Sequence, residues 1–535
     1  LVPHFIPDVS KEWRSWKDQA FHELAYSIAS KFVGDEIPKE DLKALMEKSY
    51  KSFTHEDVVP VRTVGDLEIM ELFHGPTFAF KDVALQALGN LFEYFLLRNN
   101  KRITVVGATS GDTGSAAIAG LSGKKNVECF ILFPEGRVSP IQQLQMTSVL
   151  DDNVHCIAVQ GTFDDCQTIV KNLFCDLNFK KTYSLGAVNS INFARIMFQI
   201  TYYFYTYFKK FPDCDGTMSF SVPTGNYGDI LAGYYAKRMG LPVQHLIVAT
   251  NENDILNRFF STGEYSTRGI VLQTSSPSMD IGISSNFERY LFYLFGLDNK
   301  RLSMEMKAFR DQGRLRVDEV QLKKAKFDFL AACCTEAQTK ETIAKFHKEH
   351  NYMLDPHTAC GVNAVHQLRH KMLPPCSNDA NTAKHYMVVL ATAHPAKFSS
   401  AVVAATGIEA EMPEGLARLA GSQVRFTVLA PKLETIKEFI KSTVPDPTGS
   451  RNVYTMKHYF GLVTGAAACV AVGVALGKNM KAQVPGRYIG QVPCQVPRLS
   501  HHWHRSHHYL LLLPRPRELH RAALGTTGAA SGGRP

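Results

Sequence analysis

Between residues 102 and 260 the chain repeats one local pattern: a short apolar run, a loop of small polar residues, then a stretch with helical periodicity. Apolar runs at 102–107, 127–133, 154–159, 217–222 and 243–249 alternate with helical stretches at 116–121, 140–150, 162–174, 230–239 and 253–260. Runs of this length, rich in Val and Ile, read as strands buried on both faces. Strands alternating with helices predict an α/β protein built on open, twisted parallel sheets. Later runs at 386–391 and 424–428, with helices at 336–349 and 433–442, continue the theme. A long aromatic helix at 192–208, holding Tyr202, Tyr203, Phe204, Tyr205 and Tyr207, reads as core or as a contact between subunits, so monomer and homo-oligomer both stay open.

With 535 residues the chain exceeds one hydrophobic core. Residues 1–72 predict a mainly helical lead domain, with Trp13, Trp16, Phe21, Leu24 and Ile28 at helical spacing and a hairpin about Gly65 and Asp66. Residues 73–210 and 211–444 predict two α/β domains. From 445 onward the texture changes. Residues 459–477 carry no charge and just reach the length of a membrane span, but their Gly/Ala content makes a span a weak expectation. The His, Pro and Arg clusters beyond predict disorder. This tail also explains the formal net charge of +9. From Arg451 to Pro535 there are 11 Lys/Arg and one acid, which leaves 48 basic and 49 acidic groups in the rest. A near-neutral body offers nothing for nucleic acid. The 11 cysteines form no CxxC spacing, so neither a zinc site nor a disulfide scaffold is expected, and a reducing, cytoplasm-like compartment is the simplest setting. The chain opens on Leu1 rather than Met, which reads as a fragment.

Chemistry concentrates in three places. His74-Gly-Pro-Thr-Phe-Ala-Phe-Lys-Asp82 sets Lys81 at the mouth of a helix among Phe78, Phe80 and Leu85. Apolar surroundings disfavour an ammonium, and a neutral amine can attack a carbonyl and hold it as a Schiff base. The loop Thr224-Gly-Asn-Tyr-Gly228 follows a strand and opens a helix, so its backbone N–H groups suit a phosphate. The loop Ser110-Gly-Asp-Thr-Gly114 suits a second polar or anionic group. Neither loop is a P-loop or a GxGxxG fingerprint, which leaves a generic nucleotide binder without its signature. A desolvated lysine with a phosphate cradle on one α/β scaffold points to pyridoxal 5'-phosphate.

Eight ordered motifs carry a family resemblance over residues 1–444. They are His74 to Asp82, Thr109 to Gly114, Asn189 to Arg195, Pro223 to Asp229, Thr250 to Asp254, Ser278 to Asp280 with Ser285 to Arg289, Asp355 to Thr358, and Thr392 to Phe398. Together they resemble the threonine synthases, most of all the animal threonine synthase-like branch, the second of that pair in particular. The resemblance implies fold type II of the pyridoxal enzymes, with Lys81 as the Schiff-base lysine. It implies that Gly225, Asn226, Tyr227 and Gly228 hold the cofactor phosphate, that Thr392 faces the pyridine nitrogen, and that Asp112 lies by the ring. Ser110 and Thr113 would lie by the substrate, and Asn192 and Arg195 would take its phosphate. The animal branch implies a phospho-lyase that eliminates phosphate from O-phosphothreonine or O-phosphohomoserine to give 2-oxobutyrate, ammonia and phosphate. Addition of water to make threonine from O-phosphohomoserine is the alternative. A non-catalytic relative whose tail serves as an anchor or interaction arm is the second alternative.

Overall fold

The computed structural model describes residues 2–3, 5–189, 192–372 and 384–444. The apolar run at 459–477 and the whole tail from 445 lie outside the described residues. Thirteen strands occur in chain order: β1 (Val61–Val64), β2 (Leu67–Glu71), β3 (Ile103–Ala108), β4 (Val127–Pro134), β5 (Val154–Val159), β6 (Leu185–Gly186), β7 (Thr217–Pro223), β8 (Val243–Thr250), β9 (Glu264–Ser266), β10 (Arg314–Arg316), β11 (Leu330–Cys333), β12 (His385–Ala391) and β13 (Thr427–Leu429). One sheet has the order β13-β5-β4-β3-β6 and the other β1-β2-β12-β7-β8-β11; β9 and β10 pair separately. Every pairing in the two large sheets is parallel except the β1–β2 hairpin, which turns at Gly65 with φ 62°.

The strands are apolar on both faces because both faces are covered. Val106, Phe130, Ile157 and Val159 pack on one side of the first sheet against the helices Phe163–Cys175 and Leu433–Thr443. On the other side, Val105, Cys129 and Ile131 meet the helices Lys81–Arg98 and Asp112–Leu121. The sheets also exchange their end pieces. Strand β2, from the lead segment, pairs with β12 in the second sheet, and β13, near the end, pairs with β5 in the first. A strand of three residues with one apolar face carries no local signal for its partner, so this exchange is decided by tertiary packing.

The lead segment is helical at Phe21–Val33 and Lys39–Tyr50, but the spacing from Trp13 to Ile28 does not make one helix. A 3-10 turn at Trp13–Trp16 is separate, and the longer helix begins after Ala20, whose N–H donates to Glu23 Oε2 at 2.9 Å. Both tryptophans are buried against the aromatic helix Phe193–Lys210; Trp13 meets Tyr207 edge-on at 5.4 Å. That helix is core, since every residue from Arg195 to Phe208 is buried. Helices at Asn299–Gln312, Glu319–Asp328 and Pro356–Leu368 complete the second half. Among the described residues no helix is long and apolar enough to cross a membrane, and no three His, Cys, Asp or Glu gather as metal ligands.

One helix crossing positions the chemistry. Lys81 and Asp112 are each the first residue of a helix. Eight residues on, Gly89 and Gly120 face each other so closely that a Cβ on Gly89 would lie 1.9 Å from the Gly120 carbonyl oxygen. Only glycine permits that approach, and it draws the two helix mouths together.

Candidate active site

Lys81 is 6% exposed, and its ammonium end faces the Asp112 carboxylate. Lys81 Nζ lies 3.5 Å from Asp112 Oδ2 and 3.4 Å from Ser278 Oγ. The other oxygen, Asp112 Oδ1, takes shorter contacts: Lys397 Nζ at 2.6 Å and Gln142 Nε2 at 2.8 Å. Lys397 also donates to the Thr77 carbonyl at 2.8 Å. Thr77 in turn bonds the buried Asp82 carboxyl through its N–H and its hydroxyl, at 2.8 and 2.7 Å. Burial pushes the Lys81 pKa down; Asp112 opposes this, and the Lys397 and Arg195 cations reinforce it. Burial raises Asp112 as well, but Lys397 and then Lys81 outweigh it and hold its carboxyl far below the usual carboxylate range. Burial pushes Asp82 up to about 6.

The segment carrying Lys81 is stitched to the end of β12. Phe80 N–H donates to the Thr392 carbonyl at 2.9 Å and His394 N–H to the Phe78 carbonyl at 3.1 Å. Thr392 is therefore fixed within one residue of Lys81, and it is buried. Ser278 joins Lys81 to the glycine loop. A Cβ on Gly225 would come within 2.9 Å of the Ser278 carbonyl oxygen and 3.1 Å of Met279 Cα. Ser278 is itself held by His357, whose Nε2 accepts the Ser278 N–H at 3.2 Å while its Nδ1 meets Asp355 Oδ1 at 2.7 Å.

The loop from Gly225 to Gly228 opens the helix Gly228–Arg238. The Gly225 and Asn226 carbonyls and the Asn226 side chain are occupied: Ser284 Oγ donates to the Gly225 carbonyl, Asn286 N–H and Nδ2 to the Asn226 carbonyl, and Ser285 Oγ to Asn226 Oδ1. Among the described residues no acceptor bonds the amide N–H of Gly225, Asn226, Tyr227 or Gly228. Four successive unbonded amides at a helix mouth suit an anion. Tyr227 stands at φ 61°, a left-handed conformation that a non-glycine side chain resists. Its ring is buried among Phe260, Phe287, Tyr290 and Phe329, so it offers the cradle only its backbone.

Around Asp112, Ser110 and Thr113 are half-buried at the helix mouth. Thr109 Oγ1 accepts the N–H of Gly111 and Gly114, at 3.0 and 2.9 Å, so it already takes two of that loop's amides. Asn192 caps the aromatic helix through Oδ1, which accepts Ala194 N–H at 3.0 Å. Arg195, on the first turn, is 4% exposed, and among the described residues no carboxylate pairs with it. Its Nη1 donates to the Val188 carbonyl at 3.2 Å, and among the described residues its buried Nε has no partner. Burial lowers it to about 10. The pattern of residues singled out Lys81, Asp112, Arg195, Thr392 and the glycine loop, but assigned no part to Lys397, Ser278, Gln142 or His357. A lysine within Ala-His-Pro-Ala-Lys-Phe was the one available signal for Lys397, since its neighbours are apolar.

A buried amine, a run of free amides and a guanidinium without a carboxylate partner among the described residues fit a phosphorylated aldehyde, and the Gly225 surface leaves no space for even a methyl group. The fold and site together define a fold type II pyridoxal-phosphate enzyme, with pyridoxal 5'-phosphate as its cofactor. A family model described as pyridoxal-phosphate dependent enzyme matches residues 69–298, and models described as threonine synthase N terminus and threonine synthase, C-terminal match residues 1–50 and 358–440. The curated threonine synthase of Schizosaccharomyces pombe is 48% identical over 434 residues, 75% of this chain and 83% of the relative. The crystal structure of PLP-bound threonine synthase from Brucella melitensis is 44% identical with a TM-score of 0.77, covering 83% of this chain and 93% of that one. The chain belongs to the threonine synthase family.

Two expectations are corrected here. The resemblance does not run foremost to the animal branch: the threonine synthase-like 2 of Xenopus laevis is 36% identical over 79% of this chain, well below the fungal enzyme's 48%. The phospho-lyase reading rested on that branch and is overturned with it.

Proposed function

We propose that this chain is a threonine synthase, converting O-phosphohomoserine and water to threonine and phosphate. The observation that carries the reading is the meeting of Lys81 Nζ with Ser278 Oγ at 3.4 Å, where Ser278 abuts the Gly225 cradle. The identity to proteins named threonine synthase supports this outcome over elimination.

In this reading Lys81 holds the cofactor aldehyde, and the amides of Gly225, Asn226, Tyr227 and Gly228 hold its phosphate at the positive end of a helix. The Thr392 hydroxyl faces the ring nitrogen, and Asp112 lies by the ring. When bound, pyridoxal phosphate accepts the electron pair left by a proton lost next to the substrate's amino group. With its amine free, Lys81 would serve as the buried base that moves protons on and off the substrate carbons. Arg195 takes the substrate phosphate, because a guanidinium with no carboxylate matches phosphate oxygens. Asn192, at the same helix mouth, contributes its amide. Ser110 and Thr113 border the substrate. Burial of Lys81, Asp112 and Arg195 keeps bulk water from draining the reactive species to an oxo acid. The test is product analysis with O-phosphohomoserine: threonine and phosphate in equal amounts are expected, and 2-oxobutyrate without threonine contradicts the reading.

A further inference from the structure

Three charged groups share one dry space: the Lys81 and Lys397 ammoniums, with the Asp112 carboxylate between them. The sharing is unequal. Lys397 is 1% exposed and takes Asp112 Oδ1 at 2.6 Å, with Gln142 on the same oxygen at 2.8 Å. Lys81 reaches only the opposite oxygen, at 3.5 Å, and competes there with the Ser278 hydroxyl at 3.4 Å. One carboxylate cannot fully stabilise two buried ammoniums, because each must recover its lost hydration from a close partner. The shorter contact gives Lys397 the larger share of the Asp112 charge. Lys397 also has a second fixed acceptor, the Thr77 carbonyl at 2.8 Å.

We propose that Lys397 is a positioning residue that holds the charge of Asp112 for itself and so leaves Lys81 as the uncharged amine able to take up the cofactor. This deepens the reading of Lys81 as the cofactor lysine and rests on it. The other charged groups act in a definite sense. Arg195 adds a second cation within reach of Lys81 and favours the neutral amine. Asp229, on the helix beyond the glycine loop, opposes it; its carboxyl is buried and pushed up to about 6. His357 is engaged by the Ser278 N–H at 3.2 Å and by Asp355 Oδ1 at 2.7 Å. Removing Lys397 removes a repelling cation and frees Asp112 for Lys81, and both changes keep Lys81 protonated.

The test uses the full chain, stripped of cofactor and then mixed with pyridoxal phosphate between pH 6 and 10. The readout is the rate of attachment, with the attached lysine located by borohydride reduction and peptide mass mapping. In the parent, attachment at Lys81 is expected to be fast at neutral pH. In Lys397→Gln the rate at pH 7 falls about tenfold or more and recovers at alkaline pH, because a neighbouring charge shifts a pKa by about one unit or more. Lys397→Arg, which keeps the cation, retains the parental midpoint. The double variant Lys397→Met with Asp112→Asn carries no buried unpaired carboxylate, and its midpoint lies at or below the parent's even where the single variant folds poorly. A role in folding alone would lower stability without moving the midpoint. Parental midpoints in Lys397→Gln, or a double variant shifted to alkaline pH, overturn the inference. Attachment to a lysine other than Lys81 in the parent overturns the functional reading instead.

Discussion

Replacing Gly89 by alanine tests whether the helix crossing sets the site. The added Cβ would lie 1.9 Å from the Gly120 carbonyl oxygen, and the reciprocal contact is also tight, since a Cβ on Gly120 would meet the Leu85 carbonyl oxygen at 2.5 Å. The obstacle is backbone on both sides, so no side chain can swing away. To restore ordinary contact the helices Lys81–Arg98 and Asp112–Leu121 must part by about 1.5 Å at the crossing, and overpacking of this kind costs about 1–3 kcal/mol. Alanine's better helix propensity returns about 1 kcal/mol, leaving a net loss of up to about 2 kcal/mol. The functional effect is larger. Lys81 and Asp112 head these two helices, so the same displacement widens a contact that is already 3.5 Å. A misplacement of about 1 Å costs on the order of a hundredfold in rate. Urea denaturation and the steady-state rate of threonine formation measure the two effects. A variant with parental stability and parental kcat would refute the claim that this crossing positions Lys81.

Two further outcomes follow from the geometry. Gly225→Ala drives a methyl group toward the Ser278 carbonyl and breaks the cradle; cofactor affinity, by titration of absorbance, is expected to fall about tenfold or more, as for the loss of a hydrogen bond to a charged group. Asp229 is pushed up to about 6 from 3.8 by burial, with Tyr202 and Tyr203 donating to one of its oxygens. A raised carboxyl makes the folded chain bind more protons, so this group's contribution to stability is full below pH 4 and is lost as the pH rises to about 6, a loss of about 3 kcal/mol. Asp82 behaves alike, so Asp229→Asn should remove about half of the decline that the two groups contribute together in a pH series of denaturation curves.

Much of the architecture is legible because parallel strands buried on both faces read as uninterrupted apolar runs. β3, β4, β5, β7 and β8 each begin and end within a residue or so of those runs. β11 escaped because Leu330-Ala-Ala-Cys333 is short and built of small residues, and the helices Asn299–Gln312 and Glu319–Asp328 escaped because their faces are mostly polar. Lys81 was legible from its own neighbours, as an amine set among aromatics at a helix mouth. Its partners were not. Ser278 sits in a loop that composition marks only as polar, and Lys397 lies more than 300 positions away in the chain. Tyr227 shows the limit from the other side. The sequence presents it only as part of a loop offering backbone N–H groups, and nothing in the loop's composition shows that its ring fills an aromatic core.

Absorbance of the purified full chain tests the central claim, that a buried lysine carries pyridoxal phosphate beside the glycine cradle. The parent should show the band of the lysine-attached cofactor at about 410–420 nm, lost in Lys81→Ala while that variant stays folded. A parent without the band, or a Lys81→Ala protein that keeps it, would contradict the account.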